Sequence, residues 1–102
     1  MLNSKKTKSD VSGVKISKKI INFEYFSPDV KEVSLVGDFN HWNPKTNPMK
    51  KDKKGTWNAT LFLEPGRYEY RIVADGNWEN DPSCSFCVDN EFGSKNCVRV
   101  VA

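Results

Sequence analysis

Val33-Ser34-Leu35-Val36-Gly37-Asp38-Phe39-Asn40-His41-Trp42 runs from an apolar strand into a polar turn that carries a tryptophan. Val33, Leu35 and Phe39 fall on one face of an extended segment, with Gly37 as a bulge or a point of close approach. Asn40, Asn43 and Pro44 are turn formers, so the strand ends before Trp42 and leaves the indole in a loop anchored by packed β-structure. A large aromatic held there offers a flat platform.

The same period-two pattern extends outward in both directions. Upstream, Ile21, Phe23 and Tyr25 alternate with Asn22 and Glu24, and Ser27-Pro28-Asp29 ends that strand. Downstream, Asn43 to Lys54 reads as a loop or weak edge segment around Met49, with Lys50 to Lys54 a solvated turn. Trp57, Ala59, Leu61 and Leu63 alternate as a third strand, with Trp57 in the core. Pro65-Gly66 carries the signature of a type II turn. Arg67 to Val73 then sends Tyr68, Tyr70 and Ile72 to the core and Arg67, Glu69, Arg71 and Val73 to the other face. Asp75-Gly76 predicts a type I′ hairpin, which needs positive φ at both central positions, and it leads directly to Trp78. Asp81-Pro82 breaks the chain, Phe86 to Val88 is a short strand, Glu91 to Asn96 is a loop containing Gly93, and Cys97 to Val101 closes the domain. Six or seven short strands with no helical period describe an all-β antiparallel sandwich.

A chain of 102 residues forms one small domain. Residues 1–18 are polar, lysine-rich and nearly free of aromatics, as in a disordered leader, and the domain is expected over residues 19–102. The formal net charge of +3 is misleading, because Lys5, Lys6, Lys8, Lys15, Lys18 and Lys19 face only Asp10 and give residues 1–19 an excess of +5. The remainder carries ten basic and twelve acidic groups, a net of −2. That balance argues against nucleic acid, whose footprint is a cationic face on the domain itself. The N-terminal residues show neither a secretory signal nor a membrane span, so no membrane association is expected and a cytoplasmic location follows by default. Three cysteines cannot all pair within one chain and read as free thiols.

Trp42 and Trp78 both sit in polar turn sequence, with no apolar neighbour sharing their face. Each follows a strand, and Arg71 lies on the solvent side of the strand that feeds Trp78. Bare aromatics flanked by Asn, Arg and Ser match what a sugar needs: a flat ring under the C–H face of a pyranose, and polar partners for its hydroxyls. Nucleobases use similar rings, but the domain's charge weakens that option. For catalysis the inventory is poor. His41 has no nucleophile arranged around it in sequence, and the turn settings of Asp38, Asp75, Glu79, Asp81 and Asp89 favour capping over an acid/base pair. No catalytic residue, cofactor or metal site is assigned. Cys84-Ser85-Phe86-Cys87 has zinc-type spacing, which Cys97 and His41 could complete as a Cys₃His set, and Cys84 could bond to Cys87 or Cys97. Idle thiols are the expectation.

Val-Gly-Asp-Phe-Asn-His-Trp (36–42), Pro-Gly-Arg-Tyr-Glu-Tyr-Arg-Ile-Val-Ala-Asp-Gly-Asn-Trp (65–78), Asp81-Pro82 and Phe92-Gly93-Ser94-Lys95-Asn96 closely resemble carbohydrate-binding module family 48. That family includes the glycogen-binding domain of the AMP-activated kinase β subunit and the N-terminal early-set domains of isoamylases and branching enzymes. The resemblance covers about residues 18–102, in order and at family spacing. It implies an immunoglobulin-like (early-set) β-sandwich of about seven strands that binds α-1,4-glucans such as glycogen or starch. It also implies the sugar-binding residues: Trp42 and Trp78 stack on glucose, Arg71 bonds to hydroxyls, and Phe92, Ser94 and Asn96 supply an apolar prop and polar contacts from a late loop. Three departures stand out. Arg71 replaces the usual lysine of kinase-type domains, Phe92 the usual leucine, and Cys97 a position often held by asparagine.

The expected function is a non-catalytic α-glucan-binding module whose partner is an α-glucan polysaccharide or a maltooligosaccharide. The alternative is a regulatory or scaffolding domain that binds a kinase or a glucan-processing enzyme in trans. The chain stops at Ala102 without the kinase-binding tail of β subunits, which lowers the kinase version. A third reading, a fragment or relative of a glycoside hydrolase, lacks a catalytic domain in these residues.

Overall fold

In the computed structural model, which describes residues 17–102, the alternating stretches pair into two antiparallel sheets. The lysine-rich leader expected over residues 1–18 lies almost wholly outside the described residues. The strands are β1 (Lys19–Phe26), β2 (Val33–Gly37), β3 (Lys50–Lys51), β4 (Thr56–Leu63), β5 (Gly66–Ala74), β6 (Asn77–Glu79), β7 (Cys87–Asp89) and β8 (Lys95–Val101). One sheet has the order β1-β4-β3 and the other β2-β5-β8-β7, with β6 also paired to β5. Together they make the expected all-β, immunoglobulin-like sandwich. Among the described residues no helix is long and apolar enough to cross a membrane.

Alternation decides what lies between the sheets. Phe23, Trp57, Leu61 and Leu63 from one sheet meet Val33, Leu35, Tyr70, Ile72, Ala74, Cys97 and Val101 from the other in a single buried cluster. Phe23 packs edge-on against Tyr70, with ring centroids 5.0 Å apart. Trp57 is core, as its phase predicts, and its Nε1–H donates to the Ser27 carbonyl at 2.8 Å. Val36, on the opposite face of β2 from Leu35, is fully buried as well.

Three sequence expectations are corrected. The Pro65-Gly66 pair makes no type II turn, because Gly66 opens β5 and is not among the left-handed glycines Gly55, Gly76 and Gly93. The two residues Glu64 and Pro65 carry the chain from one sheet to the other, so strands β4 and β5 are not a hairpin. Strand β2 stops at Gly37, and Phe39 lies in a single 3₁₀ turn, Asp38–Asn40, from which it packs against Phe23 and Tyr68. Lys50 and Lys51 are not part of a turn but pair with Asn58 and Trp57 as an edge strand.

Strand β5 is the axis of the site-bearing sheet. Residues Tyr70–Ala74 pair with β2 along one edge. On the opposite edge β8 pairs with Gly66–Tyr70 and β6 with Ile72–Ala74, so β6 and β8 share that edge end to end. The β5–β6 turn is the expected two-residue hairpin, with φ of 48° at Asp75 and 82° at Gly76. Asp75 Oδ1 accepts the N–H groups of Lys31 and Glu32, both at 2.9 Å, which ties the hairpin tip to the entrance of β2.

Candidate functional site

The outer face of β5 carries Glu69 and Arg71, and every neighbouring element adds one wall around them. Trp42 comes from the turn after β2, Trp78 from β6, and Phe92, Ser94 and Asn96 from the turn and strand beyond β7. Together with Asp38, Asp89, Asn90 and Glu91 they line an open groove of about 850 Å³. All six residues expected from the sequence therefore border one depression.

Trp42 is positioned by a tight local construction. At Gly37 a Cβ would stand 2.6 Å from the Glu69 carbonyl oxygen and 2.8 Å from both the Phe39 ring and Tyr70 Cβ, so the glycine serves close approach of β2 to β5. Once β2 ends, the Glu69 N–H donates instead to Asp38 Oδ2 at 2.8 Å. The other carboxylate oxygen of Asp38 accepts Trp42 Nε1–H at 3.3 Å. His41 and Trp42 both adopt left-handed backbone, with φ of 56° and 60°, a conformation that non-glycine residues hold only under external restraint. The restraint comes from Trp42 N–H to Gly37 O at 3.0 Å and from buried Asn40. The Asn40 side chain donates to Leu35 O and Asn47 Oδ1 and accepts from Gly37 N–H.

The two indoles are nearly parallel, 22° between planes, with centroids 6.4 Å apart. Trp78 is 45% exposed and Trp42 half-buried. The Arg71 guanidinium stands 5.9 Å from the Trp78 ring centroid. It donates through Nε to Asn80 Oδ1 at 2.8 Å, and through its terminal nitrogens to Ser94 Oγ and the Trp78 carbonyl, both at 3.3 Å. A planar fork reaches three partners in three directions, which a lysine ammonium on the same stem would not do as rigidly.

The late loop is organised by Asn90, a residue the sequence reading did not single out. Its Oδ1 accepts from Phe92 N–H at 2.9 Å and Ser94 N–H at 3.1 Å, and its Nδ2 donates to Ser94 Oγ and Asn96 Oδ1, both at 3.0 Å. The available signal was an asparagine at the head of a turn closed by Gly93, whose φ is 83°. Phe92 projects from this loop and is 83% exposed. Asn96 is buried and donates to Glu69 Oε1 at 3.0 Å. That bond, then the Arg67 guanidinium, holds the Glu69 carboxyl below its ordinary range.

The remaining carboxylates perform local tasks. Buried Asp81 accepts Tyr70 O–H at 2.8 Å and both the N–H and O–H of Ser83, and Asp89 pairs with Lys95. His41 is exposed and does not join the cysteines. Cys84, Cys87 and Cys97, read from the sequence as free thiols, are unbonded and converge. Burial pushes the Cys97 thiol up to about 12. Burial, then the hydrogen bond with Cys84, raises Cys87. Burial opposes ionisation at Cys84 too, but hydrogen bonding with the backbone of Phe86 and Val98 and with the other two thiols leaves it below its usual value.

The chain matches the carbohydrate-binding module 48 (isoamylase N-terminal domain) family over residues 11–96. It is 40% identical over 57 residues to Protein FLOURY ENDOSPERM 6, chloroplastic, of Oryza sativa subsp. japonica, a match covering 56% of this chain and 11% of that protein. It is 29% identical over 99 residues to Protein PTST, chloroplastic, of Arabidopsis thaliana, covering 95% of this chain and 35% of that one. Among solved structures, the maltogenic amylase of S. marinus contains a similar domain, with a TM-score of 0.66 and 25% identity over 88% of this chain and 15% of that chain. The chain thus spans about a tenth to a third of these relatives.

Proposed function

The chain belongs to carbohydrate-binding module family 48, and we propose that it is a non-catalytic module that binds α-1,4-glucan, starch or glycogen, by stacking glucose rings on Trp42 and Trp78. The observation that carries this reading is the pair of nearly parallel indoles 6.4 Å apart, Trp78 exposed and Trp42 half-buried, beside a guanidinium. Apolar faces of the sugar rings cover the indoles, and hydroxyls exchange with Arg71, Ser94 and Asn96. Phe92, bare at the rim, adds a third apolar surface. Among the described residues, the groove also holds Asp38, Glu69, Asp89 and Glu91 against one cation, Arg71, a balance that suits a neutral polyol better than a phosphate backbone. Two aromatic platforms and a few exposed hydrogen bonds correspond to an affinity of about 10 µM to 1 mM, because each hydroxyl gives up water on binding. The compartment consistent with the reading is one that stores α-glucan: the cytoplasm by default from the sequence, the chloroplast by name for the two plant relatives. Titration with maltoheptaose or β-cyclodextrin, followed by tryptophan fluorescence, tests the proposal, and an unchanged spectrum at millimolar sugar refutes it.

One observation favours the alternative, a protein-interaction domain acting with a kinase or glucan-processing enzyme in trans. Ile20 and Phe62 are cross-strand partners on the outer face of the β1–β4 pair and are 73% and 64% exposed. Binding of a purified glucan-processing enzyme that survives loss of both groove tryptophans, yet fails when Ile20 and Phe62 become serine, would select this reading.

A further inference from the structure

The three cysteines lie apart from the groove, where β7, β8 and the turn before β7 meet. Cys87 and Cys97 are direct cross-strand partners. The neighbouring pair is hydrogen-bonded, Val98 N–H to Phe86 O at 3.0 Å, so Cys87 and Cys97 occupy a non-hydrogen-bonded position, where antiparallel Cα atoms approach to about 4.5 Å and side chains come closest. Cys97 is fully buried, which puts its partner on the inner face as well, at the margin of the sheet. The turn closed by Cys84 N–H to Asp81 O, 3.0 Å, then folds a third thiol onto the pair. Sγ atoms of Cys84 and Cys87 are 3.8 Å apart, and all three sulfurs lie within 4.8 Å of one another.

We infer that Cys84, Cys87 and Cys97 form a three-thiolate binding site for a thiophilic d¹⁰ cation, Cu⁺ or Zn²⁺. The spacing fits the chemistry. Metal–sulfur bonds of about 2.3 Å set tetrahedral sulfurs roughly 3.8 Å apart, and a trigonal ion with similar bonds sets them at roughly 4 Å. Soft thiolate donors select these ions over magnesium or calcium, which take oxygen. Strand register holds two ligands and a hydrogen-bonded turn the third, so little chain has to be ordered for the ion to bind. Cys84 and Cys87 are half-exposed and give it a path in, while Cys97 closes the inner side. Three sulfurs complete the shell of Cu⁺, and Zn²⁺ takes its fourth donor from water. Coordination breaks three S–H bonds, forms three metal–sulfur bonds and releases three protons, with no electron transferred. A bound ion would also pin the edge strand β7, whose far end enters the Asn90 turn, to β8.

The test uses the full chain, reduced with a phosphine under nitrogen and stripped by chelator. It is titrated with Co²⁺ as the spectroscopic substitute for zinc and, separately, with Cu⁺ against a chromophoric chelator. The expected result is a thiolate-to-cobalt charge-transfer band or chelator displacement that saturates at one ion per chain, with thermal stability rising with free ion. The Cys84→Ser/Cys87→Ser variant, which keeps the buried Cys97, should retain the wild-type circular dichroism and lose affinity by about a hundredfold or more. Three outcomes would overturn the inference: no band and no displacement at one equivalent, an equally strong signal in the double variant, or chain purified without reductant that holds no metal and titrates one thiol because the other two are disulfide-bonded.

Discussion

Replacing Trp78 with alanine separates the proposed sugar platform from the fold that carries it. An aromatic side chain presents about 150–250 Å² of accessible surface. Trp78 keeps 45% of its surface in solvent, which corresponds to roughly 110 Å² for a large indole. A sugar lying on one face covers between half and all of that area, and at about 25 cal/mol per Å² this contributes about 1.4–2.8 kcal/mol. The expected loss of affinity is therefore about 10- to 100-fold. Stability should fall as well, by at most about 3.4 kcal/mol for the roughly 140 Å² that the ring already covers, but the contacts with Trp42 and Arg71 lie outside the core cluster, so the domain should stay folded. Calorimetric titration of wild type and variant with β-cyclodextrin, beside urea unfolding of both, reads the two quantities independently. A variant that binds within about twofold of wild type while still folded would refute the stacking argument.

Further outcomes follow from the positions of single groups. Gly37→Ala forces a methyl into the 2.6 Å gap to Glu69 O, against backbone that cannot swing away; the expected cost is about 1–3 kcal/mol, and because the same contact launches Asp38 and Trp42, glucan affinity should fall with it in parallel titrations. Tyr70→Phe removes the donor to buried Asp81 and should cost about 1–3 kcal/mol in urea unfolding, a midpoint decrease of about 4–8 °C per kcal/mol in a domain of this size. The Glu69 carboxyl is lowered first by Asn96 and then by Arg67. Its contribution is therefore fully present above the unfolded glutamate pKa of about 4.3 and is lost as pH falls through the lower folded value. Glu69→Gln should flatten the acid limb of stability against pH below about pH 4.5, and an unchanged slope would mean that the Asn96 bond does not persist in solution. Asn90→Ala removes both acceptor bonds that close the Phe92 turn, so Phe92→Ala made in that background should reduce glucan affinity less than in wild type.

Local alternation was enough to identify the strands that matter most. Trp57, Ala59, Leu61 and Leu63 in one strand and Tyr68, Tyr70 and Ile72 in another announce their buried faces, because period two is imposed by the pleat itself. Asp75-Gly76 announces its turn for an equally local reason, two consecutive positive φ angles. The partial exposure of Trp42 was readable from the polar turn around it; Trp78, 45% exposed, was expected in a turn too but lies on strand β6, paired with Val73. Pro65-Gly66 misled because its two residues define a turn only if the flanking strands pair, and here they belong to different sheets. Asn43 to Lys54 was legible only as a loop or weak edge segment, and Lys50 to Lys54 as a turn, because exposed lysines carry no periodicity; pairing with Asn58 and Trp57 is what makes Lys50-Lys51 a strand.

The long alternating strands and the sandwich class are therefore legible in the sequence alone, since each depends on neighbours within a few residues, whereas the short strands β3 and β6 are not. Tertiary structure decided everything that depends on register between distant segments. Only the pairing of β5 with β2, β6 and β8 brings residues 42, 71, 78 and 92 around one groove, with Glu69 and Asn90 as its internal braces. Only the β7–β8 register sets Cys87 opposite Cys97 while the Asp81 turn returns Cys84 to them. A one-residue slip would turn the slipped strand's side chains to the opposite face, Trp78 away from Arg71 in one pairing and Cys87 away from Cys97 in the other, and no stretch of sequence read by itself contains that information.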